Sequence, residues 1–237
     1  MATIADTNSV SVNNLVDITL TKPLTANIDD IMFVARIWPG NASSSATPAT
    51  MTDITGIANP VQSGTASSDV RLSVHRHTIT AASPTSWTWT ITAARRQLLL
   101  WALIRGVDLN SIVNIANESG ADTLTAPTIT TTVASTFLLY VGAHWNSSSP
   151  AQSFTPPSGM TEAIDANASQ TAGILAYQTL DVAGATGTRT ATELVAGSFV
   201  ACNIAFTNLI GNIRVWDGAA WATPVSKQIW SGSAWSE

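Results

Sequence analysis

His75 and His77 are separated by one residue in the segment Val70-Arg-Leu-Ser-Val-His-Arg-His-Thr-Ile79. On a strand, residues i and i+2 share a face, so the two imidazoles have the spacing of a metal-ligand pair, with His144 available as a third ligand. No carboxylate completes the set four or five residues further on, because Ala81 and Ala82 stand there. Plain strand residues are the competing reading, and the expectation is that no metal is bound. A serine nucleophile on a sharp turn needs a Gly-x-Ser-x-Gly elbow, and none occurs. Glycoside cleavage needs two carboxylates facing each other across a cleft. The 15 acidic residues are scattered singly apart from Asp29-Asp30, and Asp108 after Arg105-Gly106-Val107 reads as a turn-stabilising acid. No dinucleotide or Walker fingerprint occurs either. The chain is expected not to be an enzyme, with no catalytic residue and no cofactor.

Tryptophan is the informative excess, with nine in 237 residues. Trp87-Thr-Trp-Thr-Ile91 alternates, which puts Trp87, Trp89 and Ile91 on one strand face, and Trp101 lies in an apolar run. These three indoles are expected in the core. Trp38 precedes Pro39-Gly40 at a strand end and Trp145 precedes a Ser-rich loop, which places both at the rim as candidate glycan contacts. An exposed indole can stack its apolar face on a sugar ring, while packing and partner anchoring are its competing uses. The other four indoles belong to a repeat: Ile213-Arg-Val-Trp-Asp-Gly-Ala-Ala-Trp221 returns as Lys227-Gln-Ile-Trp-Ser-Gly-Ser-Ala-Trp235, at an offset of 14. Asp-Gly is a strong signal for a tight hairpin turn. Two tandem hairpins are predicted, each too small to enclose its own aromatics. Trp216, Asp217, Gly218, Trp221, Trp230, Gly232 and Trp235 are therefore the expected assembly and partner-binding residues.

Composition narrows the field further. Only 11% of residues are charged, and Ser and Thr supply about a quarter of the chain. Ten basic against 15 acidic residues give a net charge of −5, and no basic cluster exceeds Arg95-Arg96, so nucleic acid is not an expected partner. A single cysteine, Cys202, excludes an internal disulfide and cysteine-pair metal sites; in its apolar strand it reads as a small buried hydrophobe. The longest apolar run, Leu98 to Ile104, is far short of the ~20 residues of a membrane helix, and membrane insertion is not expected. An acid, Asp6, stands where a signal peptide would be basic. The Asn-x-Ser sequences at Asn41, Asn117, Asn146 and Asn167 are read as ordinary products of a Ser- and Asn-rich chain.

The elements that must position these residues are short and β-like. Ile31 to Ile37 reads as a strand buried on both faces. Val70–Ile79, Leu98–Ile104, Thr123–Thr132, Phe137–Ala143, Ile174–Leu180, Thr186–Thr192 and Ser198–Phe206 continue the series, with Ser-, Pro- and Gly-rich turns between them. About ten such strands without a convincing helix predict an all-β, two-sheet antiparallel β-sandwich, jelly-roll-like, with a C-terminal β-hairpin extension. Residues 1–14 are polar and unpatterned and read as an N-terminal arm, 15–207 as the sandwich, and 208–237 as the Trp-rich tail.

Several segments carry a resemblance. Arg105-Gly-Val-Asp108 closing an apolar strand, Pro156-Pro-Ser-Gly-Met-Thr-Glu162, Ala183-Gly-Ala-Thr-Gly-Thr-Arg-Thr-Ala-Thr192 and the paired Trp-x-Gly-x-x-Trp units together resemble a β-sandwich module of tailed-bacteriophage minor tail and other virion structural proteins. The resemblance covers roughly 15–235 and is strongest from 96 onward. It departs at Asp29-Asp30, where the module tends to have Gly-Asp, and at Met51-Thr52, where Gly-Trp-Thr is usual. It implies a tail-associated virion protein that joins other virion proteins and contacts the host surface; the acid at Asp6 adds the expectation of synthesis in the host cytoplasm, and the small repeated hairpins that of self-association, preferably as a trimer around a fibre axis. The alternatives are a carbohydrate-binding adhesin that recognises a host glycan, and a capsid decoration or head-fibre protein.

Overall fold

The computed structural model describes residues 2–40, 44–54, 61–62, 70–120, 124–146, 153–193 and 197–208, and in the tail 215–216, 221–222, 229–230 and 235–236. Among these residues there is no helix. The first half of the chain supplies β1 (Thr3–Thr21), β2 (Ile31–Pro39), β3 (Ser44–Ala46), β4 (Thr52–Asp53), β5 (Val61–Gln62), β6 (Val70–Thr78) and β7 (Ser86–Arg105). The second half supplies β8 (Val107–Gly120), β9 (Leu124–Ala126), β10 (Thr130–Thr131), β11 (Thr136–Trp145), β12 (Phe154–Thr155), β13 (Thr161–Ala168), β14 (Thr171–Leu180), β15 (Gly184–Ala185), β16 (Arg189–Glu193) and β17 (Ser198–Asn208).

The protein is an all-β antiparallel sandwich. One main sheet runs β1-β7-β2-β6, with β3 on β7 and β4 and β5 on β6; the other runs β13-β14-β11-β17-β8. The strand order refines the expected jelly-roll connections: a jelly roll shuttles strands between its two sheets, whereas here each sheet is drawn from one contiguous half of the chain. The halves join at Gly106, whose φ of 78° is open to glycine at little cost.

Between the sheets, Phe33, Ala35, Ile37, Leu98, Leu100 and Ile104 meet Phe137, Leu139, Val141, Leu175, Ile204 and Phe206, all but completely buried. Each such side chain is worth ~1.5–3 kcal/mol when fully removed from water. The sheets approach closely at Gly173, where a Cβ would lie 2.3 Å from Ile37 Cδ1 and 3.0 Å from the Gly142 carbonyl oxygen, so a larger residue would require Ile37 to shift. The outer faces are covered as well. On the first sheet, Trp87, Trp89, Trp101, Met32, Val34 and Leu99 pack with Met51 and Ile79 from the turns. On the second, Leu138, Tyr140, Ile174 and Phe199 lie under Leu124, Phe154, Met160 and Ala191, carried by β9, β12, β16 and the turn before β13. Two-sided cover is why β2, β11 and the second half of β7 read as continuous apolar runs. Trp87, Trp89 and Trp101 are core residues, as expected.

Residues 3–14 differ from their reading as an arm. They form the first part of β1, which pairs with β7 from Thr3↔Arg105 to Val12↔Gln97. As a sheet edge with one half-exposed face, β1 has little need of apolar residues, and register shifts after Ile4, Val12 and Leu15 break its period of two. The amide of Ala2 also donates to Asn208 Oδ1 at 3.1 Å, which ties the start of β1 to the end of β17. A chain ending at Asn208 is expected to keep a cooperative melt with β-type circular dichroism. Removing residues 1–14 from that chain should lower its melting temperature, because the unpaired edge of β7 is then open to other strands. Equal stability of the two truncations would show that β1 contributes nothing before residue 15.

Candidate functional site

Midway along β1 and β7 the two strands lose register. From Val12↔Gln97 to Leu15↔Arg95 the edge strand carries one residue extra, and from there to Asp17↔Thr90 the excess passes to β7. Asn14 takes the left-handed conformation at φ 56°, which asparagine tolerates better than most residues. Beneath this irregular waist lies Arg36, fully buried in a strand otherwise apolar from Ile31 to Ile37. Its Nε and Nη2 donate to Gln97 Oε1 at 3.1 and 2.6 Å. Gln97 Nε2 in turn donates to the carbonyls of Leu15 and Val16 at 3.0 and 3.2 Å. Burial lowers the Arg36 guanidinium to about 10, with Asp17 opposing the shift, so it stays charged at neutral pH. A buried cation is costly unless it is hydrogen-bonded, and this one is bonded to the side chain that pins β1.

Above the waist opens a cleft of about 530 Å³. Arg95 and Arg96 of β7 line one wall and Asn13 and Asn14 of β1 another. Trp145, at the end of β11, and Gln170, in the β13–β14 turn, bring in the second sheet. Arg96 Nη1 donates to Gln170 Oε1. The Asn146 amide donates to the Gln170 carbonyl at 3.0 Å, which seats the indole beside that turn. One aromatic residue, two arginines and three amide-bearing residues, from three strands and a turn, therefore border one space; Arg95 Nη1 also donates to the Ala94 carbonyl at 2.8 Å. Among the described residues, none that lines the cleft is acidic.

The rim tryptophans part company here. Trp145 is half-buried and lines the cleft. Trp38 does not lie at the rim: it is fully buried, with Arg36 4.8 Å from its ring centroid and Ile91 and Ala93 packed against it. The expectation of a sugar-facing Trp38 is corrected, because the indole is used to cover the buried cation.

The three histidines divide between the two sheets. His75 is buried with Nδ1 2.9 Å from Asp53 Oδ1 and Nε2 2.9 Å from Ser73 Oγ. His77 places Nδ1 2.8 Å from the Thr50 carbonyl and Nε2 2.7 Å from Ser83 Oγ. Both rings pack against indoles, Trp89 and Trp87 respectively. His144 lies in the other sheet, against Phe199, with Nε2 3.5 Å from Glu193 Oε2. Burial pushes the Glu193 carboxyl up to about 8 and the Cys202 thiol up to about 12. Of the paired acids, Asp30 is a clamp: Arg105 Nε and Nη2 each donate to it at 2.8 Å, joining the start of β2 to the end of β7. Burial alone would raise its pKa, but Arg105 and the Asn27 amide hold it below the ordinary value.

In the tail, β18 (Val215–Trp216) pairs with β19 (Trp221–Ala222), and β20 (Ile229–Trp230) with β21 (Trp235–Ser236). Trp216 stands opposite Trp221 and Trp230 opposite Trp235, which is the predicted pair of hairpins in backbone form. Asp217, Gly218 and Gly232 lie outside the described residues. Sequence reasoning missed Arg36 and Gln97, although a single cation in an apolar strand was a visible signal for them. It noted Arg95-Arg96 only as a basic pair. Comparison with family models, with curated proteins and with solved structures finds no match to this chain.

Two outcomes follow from this geometry. Replacing Gln97 by Leu removes both bonds to Arg36 and both bonds to β1. It should destabilise the protein by about 1.5–3 kcal/mol, read as a lower urea midpoint with an unchanged slope. Burial pushes the His75 imidazole down to about 4, with Asp53 opposing and Arg36 adding to the fall. The unfolded chain protonates His75 near its ordinary 6.5 while the folded protein resists, so stability present above 6.5 is lost as pH falls towards about 4. His75→Gln should flatten that part of a melting-temperature profile; a parallel profile for the variant would assign the acid sensitivity elsewhere.

Proposed function

We propose that this chain is a non-enzymatic virion structural protein of a tailed phage, associated with the tail. It assembles through its Trp-rich C-terminal hairpins with copies of itself and with another virion protein, and contacts the host surface. The observation that carries this reading is the repeated hairpin. Among the described residues each copy has two paired positions per strand, one of which sets two tryptophan positions opposite one another in the backbone ladder. A two-stranded hairpin of this size is marginal in water by itself and needs a neighbour. Burying one indole of 150–250 Å² at ~25 cal/mol per Å² contributes roughly 4–6 kcal/mol as an upper bound, so four per chain form a strong association surface. Small repeated hairpins suit wrapping around a threefold fibre axis, and a trimer is the assembly we favour. The low-charge, hydroxyl-rich composition is in keeping with a particle protein.

The test replaces Trp221 and Trp235 together by alanine. Light scattering should fall from the mass of an oligomer to that of a single chain, and the variant should be lost from particles. The melting of the 2–208 sandwich should stay within about 1 kcal/mol of wild type, since the substitutions lie outside it. Unchanged mass together with unchanged incorporation would overturn the proposal. Incorporation at the head rather than the tail, seen by labelled antibody on intact particles, would keep the assembly claim and replace the position by capsid decoration.

A further inference from the structure

The waist cleft is independent of the tail and calls for its own account. A protein with a net charge of −5 has ten lysines and arginines in all, and two neighbouring arginines line this one concavity with no carboxylate-bearing residue among its described lining. That arrangement selects for an anion. Size is the next constraint: about 530 Å³ falls within the range of small-ligand sites and is too small for a folded partner. Chemistry narrows it further. Asn13, Asn14 and Gln170 carry amides, which donate and accept at once and so match adjacent hydroxyls. Trp145, half-buried on the wall, provides a flat apolar surface of the kind on which the C–H face of a sugar ring stacks.

The cleft is also held in shape from below and from the side. Gln97 follows Arg95-Arg96 directly and is fixed to Arg36 and to β1. Arg96 is held by Gln170, and Gln170 by Asn146 next to Trp145. Preorganised groups lose less freedom when a ligand arrives. We propose that the cleft binds an acidic pyranoside, with the indole under the ring, the amides on its hydroxyls and the guanidinium groups of Arg95 and Arg96 on its carboxylate or phosphate. Guanidinium is suited to that oxyanion because its planar fork matches two oxygens at once.

The test is calorimetric titration of the full chain with methyl β-glucuronide, glucose 6-phosphate, methyl β-glucoside and inorganic phosphate at low salt. Both acidic sugars, or one of them, should bind about tenfold or more tightly than the neutral glucoside, and added salt should weaken the binding. Arg95→Gln with Arg96→Gln should reduce acidic-sugar affinity about tenfold or more while the melting temperature is retained. Trp145→Ala should remove sugar binding, and Trp145→Phe, which keeps a flat ring in place, should restore part of it if the alanine variant is destabilised. The preferred acidic sugar identifies the oxyanion. Equal binding of neutral and acidic glucosides, or indifference to the arginine substitutions, would overturn the role of charge. Inorganic phosphate binding as tightly as either acidic sugar would reduce the cleft to an anion site without sugar recognition, and no binding of any probe would refute the proposal outright.

Discussion

Phe33, Leu98 and Leu100 from one sheet and Phe137, Leu139 and Phe206 from the other form a closed apolar layer, and the outer faces of both sheets are closed over in turn. Central strands in such an arrangement have no solvent side on which to place charge. The apolar runs of β2, β7 and β11 accordingly carry a single ionic side chain, Arg36, in keeping with a chain in which 11% of residues are charged. Hydroxyl groups take up part of the polar surface instead, as at Thr19 and Thr88, whose Oγ1 atoms lie 2.7 Å apart on the exposed face of the β1–β7 pair.

Arg36 is the exception that organises the middle of the molecule. It sits in β2 where neither face reaches water, and its bonds to Gln97 connect it through that amide to the carbonyls of β1. The ladder between β1 and β7 breaks at the same few residues, where the cleft opens. The polar network below and the cavity above are thus two sides of one interruption in pairing. Bulges commonly re-aim side chains next to binding sites, and here Asn13, Asn14, Arg95 and Arg96 all border the cleft at the interruption.

The most legible parts of the sequence were those under the strongest burial. Ile31–Ile37, Phe137–Ala143 and Ser198–Phe206 announce themselves because nearly every position is buried and most are apolar, and the alternation at Trp87–Ile91 gives the correct face. The tail hairpins were legible through repetition at 14 residues, a signal that needs no core. Residues 3–14 were not, since an edge strand with three register shifts has neither a run nor a clean alternation to display. Strand β7 looked like two strands because its polar middle, Thr92–Arg96, interrupts an otherwise apolar 20-residue element. Trp38 was misplaced at the rim because proximity to Pro39-Gly40 marks a chain reversal, which says nothing of what lies over the ring. Within the cleft, Trp145 was visible by itself, but Gln170 meets Arg96 across a sequence separation of 74, which no local pattern encodes.

The division of the two sheets between the two halves of the chain has a consequence in time. A ribosome delivers the first sheet complete once Arg105 has emerged, whereas its apolar partner surface ends only with β17 at Asn208. At about 5–20 residues per second, the intervening ~100 residues take on the order of 5–20 s to synthesise. Throughout that interval Phe33, Ile37, Leu98 and Leu100 of the nascent chain face water or one another on neighbouring ribosomes. A fold whose strands shuttled between the sheets would begin closing its interior earlier. This one makes the rate of translation, and the chaperones that wait at the tunnel exit, part of the conditions under which it reaches its native state.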